Sequence, residues 1–516
     1  MKRRSFIRHV GHSLAAPGIL GAMGFRSPGS KTLSDLLRMA TDTDRVLVMI
    51  YLEGGNDGLN TVVPLDQLSA LNKVRPHVIL PDERLHFLAN SQSALHPSLD
   101  GLQSLYNENR LQVVQNVGYP EQNYSHFRST DIWMSGSDSN ELINSGWSGR
   151  YLSDQFPGYP DDFPNDSFTD PLSVELGYGS SLLFQGPQSS MSMVISDPNF
   201  FYELVDNEER EVPDTLAGDK LKYIRIIEKQ SQQYGQVVKA AAEKVKSQAD
   251  YPQTFLAQQL KIVSRLIAGG LRTPMYLVRL GGFDTHDAQV ESSDHTTGEH
   301  AELLTELNDG IMAFMKDLEQ QGTEDRVVGM TFSEFGRRIV SNASLGTDHG
   351  AAAPMFFFGN SVKGGVTGTN PIISSSASYD DNLEMEFDFR QAYASILQQW
   401  LGANESESQS ALFNDFEQIA LIGDSTEVLS SPQLTSNELF VYPNPVADYS
   451  TIKMAPTKEE VRLDVMDMQG RRVETLYQGE ITKPHEIKWN TTFLQKGRYF
   501  VILTGNQTNR VFSVVK

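Results

Sequence analysis

The sequence predicts a layered α/β domain built on a mostly parallel sheet, followed by a small C-terminal all-β sandwich. Three observations carry that expectation. Apolar runs of strand length alternate with amphipathic helical segments from Arg45 to Leu401. After Glu438 the pattern changes to short alternating strands separated by turns. The length of 516 residues also exceeds what one ordinary domain takes.

Taken in order, residues 1–30 read as an export signal. Met1-Lys2-Arg3-Arg4-Ser5-Phe6-Ile7 is basic and leads into a weakly apolar Gly/Ala-rich stretch, too short and polar to span a bilayer. The Arg3-Arg4 pair resembles a twin-arginine signal, which serves chains exported already folded. Within the α/β domain at 45–402, strands are expected at Arg45–Leu52, Leu111–Val117, Met275–Leu280, from Val327, and at Pro354–Gly359. Helical spacing marks Leu99–Asn109, Leu216–Ser247, Thr254–Ile267, Ala301–Gln320 and Phe389–Leu401. The Pro/Gly/Ser/Asp-rich stretch at about 156–213 reads as an insertion or cap shaping a substrate pocket. Residues 403–437 are Ser/Glu/Asn-rich and read as linker, and 438–516 as the sandwich.

Composition narrows the function. A formal charge of −22 opposes binding to nucleic acid or anionic lipid through a broad basic surface. Cysteine is absent, so any metal must be held by oxygen and imidazole, which admits zinc, manganese, iron, magnesium or calcium. No segment after the signal is apolar for long enough to cross a membrane.

Several expected strands run directly into polar, potentially metal-binding sequence. The first enters Glu53-Gly54-Gly55-Asn56-Asp57-Gly58, the second leads to Tyr124-Ser125-His126, and a third enters Gly281-Gly282-Phe283-Asp284-Thr285-His286. A fourth enters Ser333-Glu334-Phe335-Gly336-Arg337-Arg338 and runs on to Gly346-Thr347-Asp348-His349-Gly350. Ligands of open α/β sheets collect beyond the carboxyl ends of strands, so convergence of these loops predicts a metal site. Asp284 and His286 alternate and can point at one ion in extended chain. Asp57 alone reads as a turn residue, but beside the other loops it reads as a ligand. Glu334 is a ligand or base, or pairs with Arg337 or Arg338. Those arginines either clamp an anionic substrate or hold the loop. Asp348 is a ligand or the partner of a histidine. Ser125 is a nucleophile or the cap of the following helix. Asn56 and Asn60 could support ligands, His126 reads as a neighbour rather than a ligand, and His295 and His300 as solvated or capping residues.

Two resemblances sharpen this. Val441-Tyr442-Pro443-Asn444-Pro445-Val446, Met468-Gln469-Gly470-Arg471 and Leu494-Gln495-Lys496-Gly497-Arg498-Tyr499-Phe500 resemble the C-terminal sorting domain of the type IX secretion system of Bacteroidetes. That implies passage through the periplasm and across the outer membrane to the surface or medium, with export and secretion machinery as partners. The body, through Gly54 to Pro64, Ser125-His126-Phe127, Gly281 to His286, Ser333 to Arg338 and Gly346 to Gly350, resembles the bacterial family catalogued as domain of unknown function 1501, related to the alkaline phosphatase superfamily. The superfamily's order implies Asp57 on one metal, Ser125 as nucleophile, Asp284 and His286 as ligands, Glu334 in place of an acidic/His pair, and His349 as the final ligand. Metal sites at Asp57, Asp284, His286, Glu334, Asp348 and His349, with Ser125, Glu334 and Arg337 as catalytic residues, follow as expectations. The implied function is a secreted hydrolase of a phosphate or sulfate ester using one or two divalent ions (zinc, manganese, magnesium or calcium) and a metal-activated serine. Alternatives are a non-catalytic surface protein binding glycan or a partner, and a hydrolase in which metal-bound water attacks directly.

Overall fold

The computed structural model describes residues 44–177, 179–195, 234–423 and most of 439–516. The expected export signal, residues 196–233 of the expected cap and helix, and 424–438 of the linker lie outside the described residues. The chain divides into two compact units, with Asp44–Asp424 forming the larger and the C-terminal segment belonging to the other.

The larger unit is organised on a nine-stranded sheet. Its strands are β1 (Val46–Glu53), β2 (Leu111–Gly118), β3 (Ser173–Leu176), β4 (Met193–Ile195), β5 (Met275–Gly281), β6 (Val327–Phe332), β7 (Ala353–Phe358), β8 (Gly365–Thr367) and β9 (Phe387–Asp388). They lie in the order β8-β2-β7-β6-β1-β5-β3-β4, with β9 also paired to β2. β1 is central and pairs in parallel with both β5 and β6, Met49 lying opposite Leu277 on one side and Met330 on the other. β7 runs antiparallel to both of its neighbours, β2 and β6. Its start therefore lies at the same sheet edge as the ends of β1, β2, β5 and β6.

Helices cover both faces, which is why β1 is a continuous apolar run rather than an alternating one. Val46, Val48, Ile50 and Leu52 join a core with α1 (Asp100–Asn107), α4 (Phe255–Ala268) and α5 (Glu299–Gln321). Leu47, Met49 and Tyr51 face the opposite core with α2 (His126–Ser135), α3 (Trp147–Gln155), α6 (Phe389–Ser395) and α7 (Glu405–Leu412). Gly329 in β6 sets a packing limit: a Cβ there would lie 2.0 Å from the Phe358 ring. Gly329→Ala is expected to cost about 1–3 kcal/mol through overpacking, read from denaturant melts.

Two sequence expectations change. Part of the proposed cap is sheet: β3 and β4 extend the parallel edge beyond β5. The runs Leu172–Leu176 and Met191–Ile195 are strands whose short length hid them among turn residues. The linker does not begin at 403, because α7 opens with an Asn404/Glu407 capping box and buries Ala411 and Leu412 in the core, followed by Ile419 and Leu421. The expected long helix at Leu216–Ser247 is described only from 234 onward, where it is helical at 234–244 and has ended by 245.

The C-terminal unit forms two antiparallel sheets that share one apolar core. One contains Leu439–Tyr442, Tyr449–Met454 and His485–Asn490; the other contains Glu460–Asp467, Arg472–Glu480, Arg498–Thr504 and Asn509–Val515. Ile452, Met454 and Trp489 of the first meet Leu463, Val465, Val501 and Val514 of the second. The sandwich class holds. Pro443-Asn444-Pro445 and Met468-Gln469-Gly470 lie outside the described residues.

Candidate metal centre

The site follows from the reversed β7. Chains leaving β1, β2, β5 and β6 and the chain entering β7 meet at one sheet edge. Gly54 allows the closest approach: at φ +121° it sits where a Cβ would fall 2.4 Å from the Asp284 amide nitrogen.

Asp284 is the centre. Its Oδ1 lies 3.0 Å from His349 Nε2 and 3.2 Å from His286 Nε2, and its Oδ2 lies 3.3 Å from His126 Nε2. His286 Nε2 and His349 Nε2 are themselves 2.9 Å apart. Ligand atoms of His126, Asp284 and His349 all fall within 4.8 Å of one another. Every imidazole is oriented from behind through Nδ1. His349 Nδ1 lies 2.8 Å from the Tyr124 carbonyl, His286 Nδ1 lies 2.7 Å from Asp348 Oδ1, and His126 Nδ1 lies 2.9 Å from Glu334 Oε1. A carbonyl or carboxylate can only accept, so Nδ1 carries the proton and Nε2 presents a lone pair. Three lone pairs and a carboxylate thus face one point, an arrangement that needs a cation or added protons. The donor set fits a divalent ion bound by nitrogen and oxygen.

Electrostatics agree with the geometry. Burial raises the Asp284 pKa, but the hydrogen bond and charge of Arg337, with His349 and His286 beside it, outweigh that and hold the group at about 2. Burial lowers the His349 pKa, favouring the neutral imidazole. The hydrogen bond to Glu334 raises that of His126. Asp348 stays ionised: burial opposes this, and bonds from Tyr379 and His286 overcome it.

The remaining predicted residues take other places. Glu334 is buried and binds His126, the Gly54 amide at 2.9 Å and the Ser333 hydroxyl at 3.2 Å, so it stands behind His126 relative to Asp284. Asp348 likewise stands behind His286, with its Oδ2 accepting from Tyr379 Oη at 2.6 Å. Asp57 does not join the cluster. It is buried, paired with Arg75, and accepts from Gln289 Nε2 at 2.6 Å. The Asn-Asp-Gly motif gave no sign of an arginine 18 residues on. Arg337 is fully buried and cannot clamp a substrate. Its guanidinium donates to the carbonyls of Gly55 (2.7 Å), Thr347 (2.8 Å), Phe283 (2.8 Å) and Gly54, and to Asp284 Oδ1 (2.8 Å). Arg338 is the less buried member of the pair, 18% exposed and 3.3 Å from Asp380 Oδ1, with its guanidinium carbon 5.6 Å from the Tyr124 ring and 5.2 Å from that of Tyr379.

Ser125 occupies the position before α2, but its hydroxyl makes no capping bond and the residue is exposed. It follows Tyr124 and precedes His126, both of which touch the cluster. His126, expected as a neighbour rather than a ligand, is brought by the start of α2 to within 3.3 Å of Asp284. Asn60 bonds the Val78 carbonyl at 2.8 Å, and Asn56 accepts from His300 Nε2 at 3.0 Å.

His300 is buried rather than solvated, because the first turn of α5 faces the core. Burial lowers its pKa to about 4, and that of neighbouring His96 is lowered for the same reason. The unfolded chain therefore takes up a proton near 6.5 that the folded state refuses until about 4. Stability should fall as pH drops through that window, by up to about 3 kcal/mol from His300. Urea melts across that pH range should show the slope, and His300→Gln should flatten part of it.

Comparison with known proteins places these features. The larger unit is a layered α/β protein with a mixed, mostly parallel sheet. Residues 210–398 match the family described as protein of unknown function (DUF1501), and residues 440–516 match the secretion system C-terminal sorting domain. The Asp284/His286, Ser333–Arg338 and Asp348/His349 motifs lie inside the first match; the Asp57 and Ser125 motifs precede it. No curated protein matches the chain. Similar solved structures include a protein in the alkaline phosphatase superfamily from Vibrio parahaemolyticus, at 10% identity and TM-score 0.32, covering 93% of this chain and 88% of that one. Others are the phosphonate monoester hydrolase SpPMH from Silicibacter pomeroyi (9%, TM-score 0.30, 91% and 89%) and the PsFucS1 sulfatase from Pseudoalteromonas sp. (11%, TM-score 0.32, 89% and 86%). Likenesses at these TM-scores decide nothing about the chemistry of the site. Among the described residues no helix is long and apolar enough to cross a membrane.

Proposed function

We propose that the 44–424 unit is a metal-dependent hydrolase of a phosphate or sulfate ester, with one divalent ion held by Asp284 and the Nε2 atoms of His126, His286 and His349. The observation that carries this reading is the meeting of His286 Nε2 and His349 Nε2 at 2.9 Å beside Asp284, with both Nδ1 atoms committed elsewhere. Three imidazoles favour zinc over manganese, magnesium and calcium, which prefer oxygen ligands. The engagement of Asp57 with Arg75 and Gln289 favours one ion over two. When bound, the ion would polarise an oxygen of the ester.

The chain's own residues supply the rest. Ser125, exposed at the N-terminus of the ten-residue α2, is the nucleophile of this reading, and the first amides of α2 favour an anionic group beside it. Glu334 and Asp348 fix the tautomers of His126 and His286. Arg338, flanked by Tyr124 and Tyr379, is the cation an anionic substrate meets, in place of Arg337.

Purified protein should contain the metal and hydrolyse generic aryl phosphate or sulfate esters. Ser125→Ala should lower kcat by about 10³-fold or more while leaving the metal in place. Full activity in that variant would assign the attack to water instead. Metal binding without turnover on any ester would support a non-catalytic binding role. For localisation, we propose export through the Arg3-Arg4 signal and delivery by the C-terminal sorting domain to the surface or medium. Replacing both arginines by lysine should retain the protein inside cells, and unchanged export would remove that route.

A further inference from the structure

We infer that Gln289 is a positioning residue that holds the Asp284/His286 loop and the Asp348/His349 strand in register for metal binding, an inference that rests on the metal reading above. Gln289 is fully buried, and its side chain hydrogen-bonds Thr285, Thr347 and Asp57 rather than the proposed ligands. Its Oε1 accepts from Thr347 Oγ1 at 2.6 Å and from Thr285 Oγ1 at 3.3 Å. Thr285 separates Asp284 from His286, and Thr347 immediately precedes Asp348 and His349. One amide oxygen therefore ties the two segments that carry most of the cluster, beside the backbone bond from the Thr347 amide to the Thr285 carbonyl at 3.2 Å.

The other end of the amide is anchored to a third loop. Gln289 Nε2 donates to Asp57 Oδ2 at 2.6 Å. Asp57 is held in turn by Arg75, whose Nη1 donates to the carbonyls of Arg338 (2.9 Å) and Ile339 (3.1 Å) in the strand paired with Thr347–His349. The chemistry requires a primary amide. The position must donate to a carboxylate on one side and accept from two hydroxyls on the other, and glutamine does both without charge. The amide orientation is thereby fixed, since its oxygen cannot face Asp57. Asp57 on this account acts on the centre through Gln289, as the anchor of a relay.

The test is calorimetric titration of Zn²⁺ into chelator-stripped full-length protein, with circular dichroism melts of each variant. Thr347→Val keeps the shape and deletes only the shorter hydroxyl bond, while Gln289→Ala deletes the whole link. Both are expected to weaken Zn²⁺ affinity by about 10–100-fold, the usual effect of losing a group that supports a ligand. Thr347→Ser keeps the hydroxyl that Thr347→Val deletes and should hold affinity within about threefold of wild type, a rescue expected of hydrogen-bonded positioning. If wild type binds Zn²⁺ and folded Thr347→Val and Gln289→Ala bind it equally well, the inference is overturned and the metal reading stands. If wild type takes up no Zn²⁺, the metal reading fails and this inference fails with it.

Discussion

Asp284→Asn is expected to abolish stable metal uptake and to lower ester hydrolysis by about 10³-fold or more, since metal stabilisation of a transition state amounts to several kcal/mol. Asp284 is the one group within 3.3 Å of all three Nε2 atoms, so its loss removes both a ligand and the charge on which the histidines converge. The fold should survive, because the carboxylate is half-exposed and forms no part of the core. His349→Ala should act in the same direction. Metal content by elemental analysis and initial rates on an aryl ester check both variants. Unchanged metal content in Asp284→Asn would remove the proposed centre.

Arg337→Ala is expected to be the most destabilising polar substitution in the larger unit, costing about 3–5 kcal/mol, as when one partner of a buried charged network is removed. Its guanidinium closes the buried carbonyls of Gly54, Gly55, Phe283 and Thr347, drawn from three separate loops, and its loss leaves these acceptors without their donor. Arg337→Lys should recover little, because one ammonium cannot reproduce a planar fork of five donors. Thermal and denaturant melts read the loss. A variant as stable as wild type would mean that these loops are held by other contacts.

The layered fold was legible because its strongest segments obey simple periods. β1, β5 and β6 are apolar runs of strand length, and α4 and α5 carry helical spacing within two residues of their observed ends. The short edge strands β3 and β4 were not legible as sheet, since three or four residues among turns carry no period. The capping box at Asn404 was readable, but the surrounding Ser/Glu composition concealed α7. At the site, Asp284, His286 and His349, which the structure brings together, were legible as candidates because each lies in a polar loop at a strand end.

The site errors share one cause. Asp57, Glu334 and Arg337 are residue types that ligate or bind anions, and sequence gives the type without the partner. Whether Asp57 meets an ion or Arg75, and whether Arg337 meets solvent or four carbonyls, depends on contacts between separate loops. His126 shows the converse: its approach to Asp284 joins positions 158 residues apart, and nothing local distinguishes it from a packed histidine at a helix start.

The central claim is that one ion binds Asp284 and three histidines through Nε2. It is tested most directly by titrating Zn²⁺ into nitrogen-15-labelled protein and following the imidazole nitrogens by long-range proton–nitrogen spectroscopy. Saturation at one ion per chain is predicted, with Nε2 of His126, His286 and His349 shifting, their Nδ1 protons retained, and His96 and His300 unmoved. Saturation at two ions per chain, or binding that leaves those three Nε2 resonances in place, would contradict it.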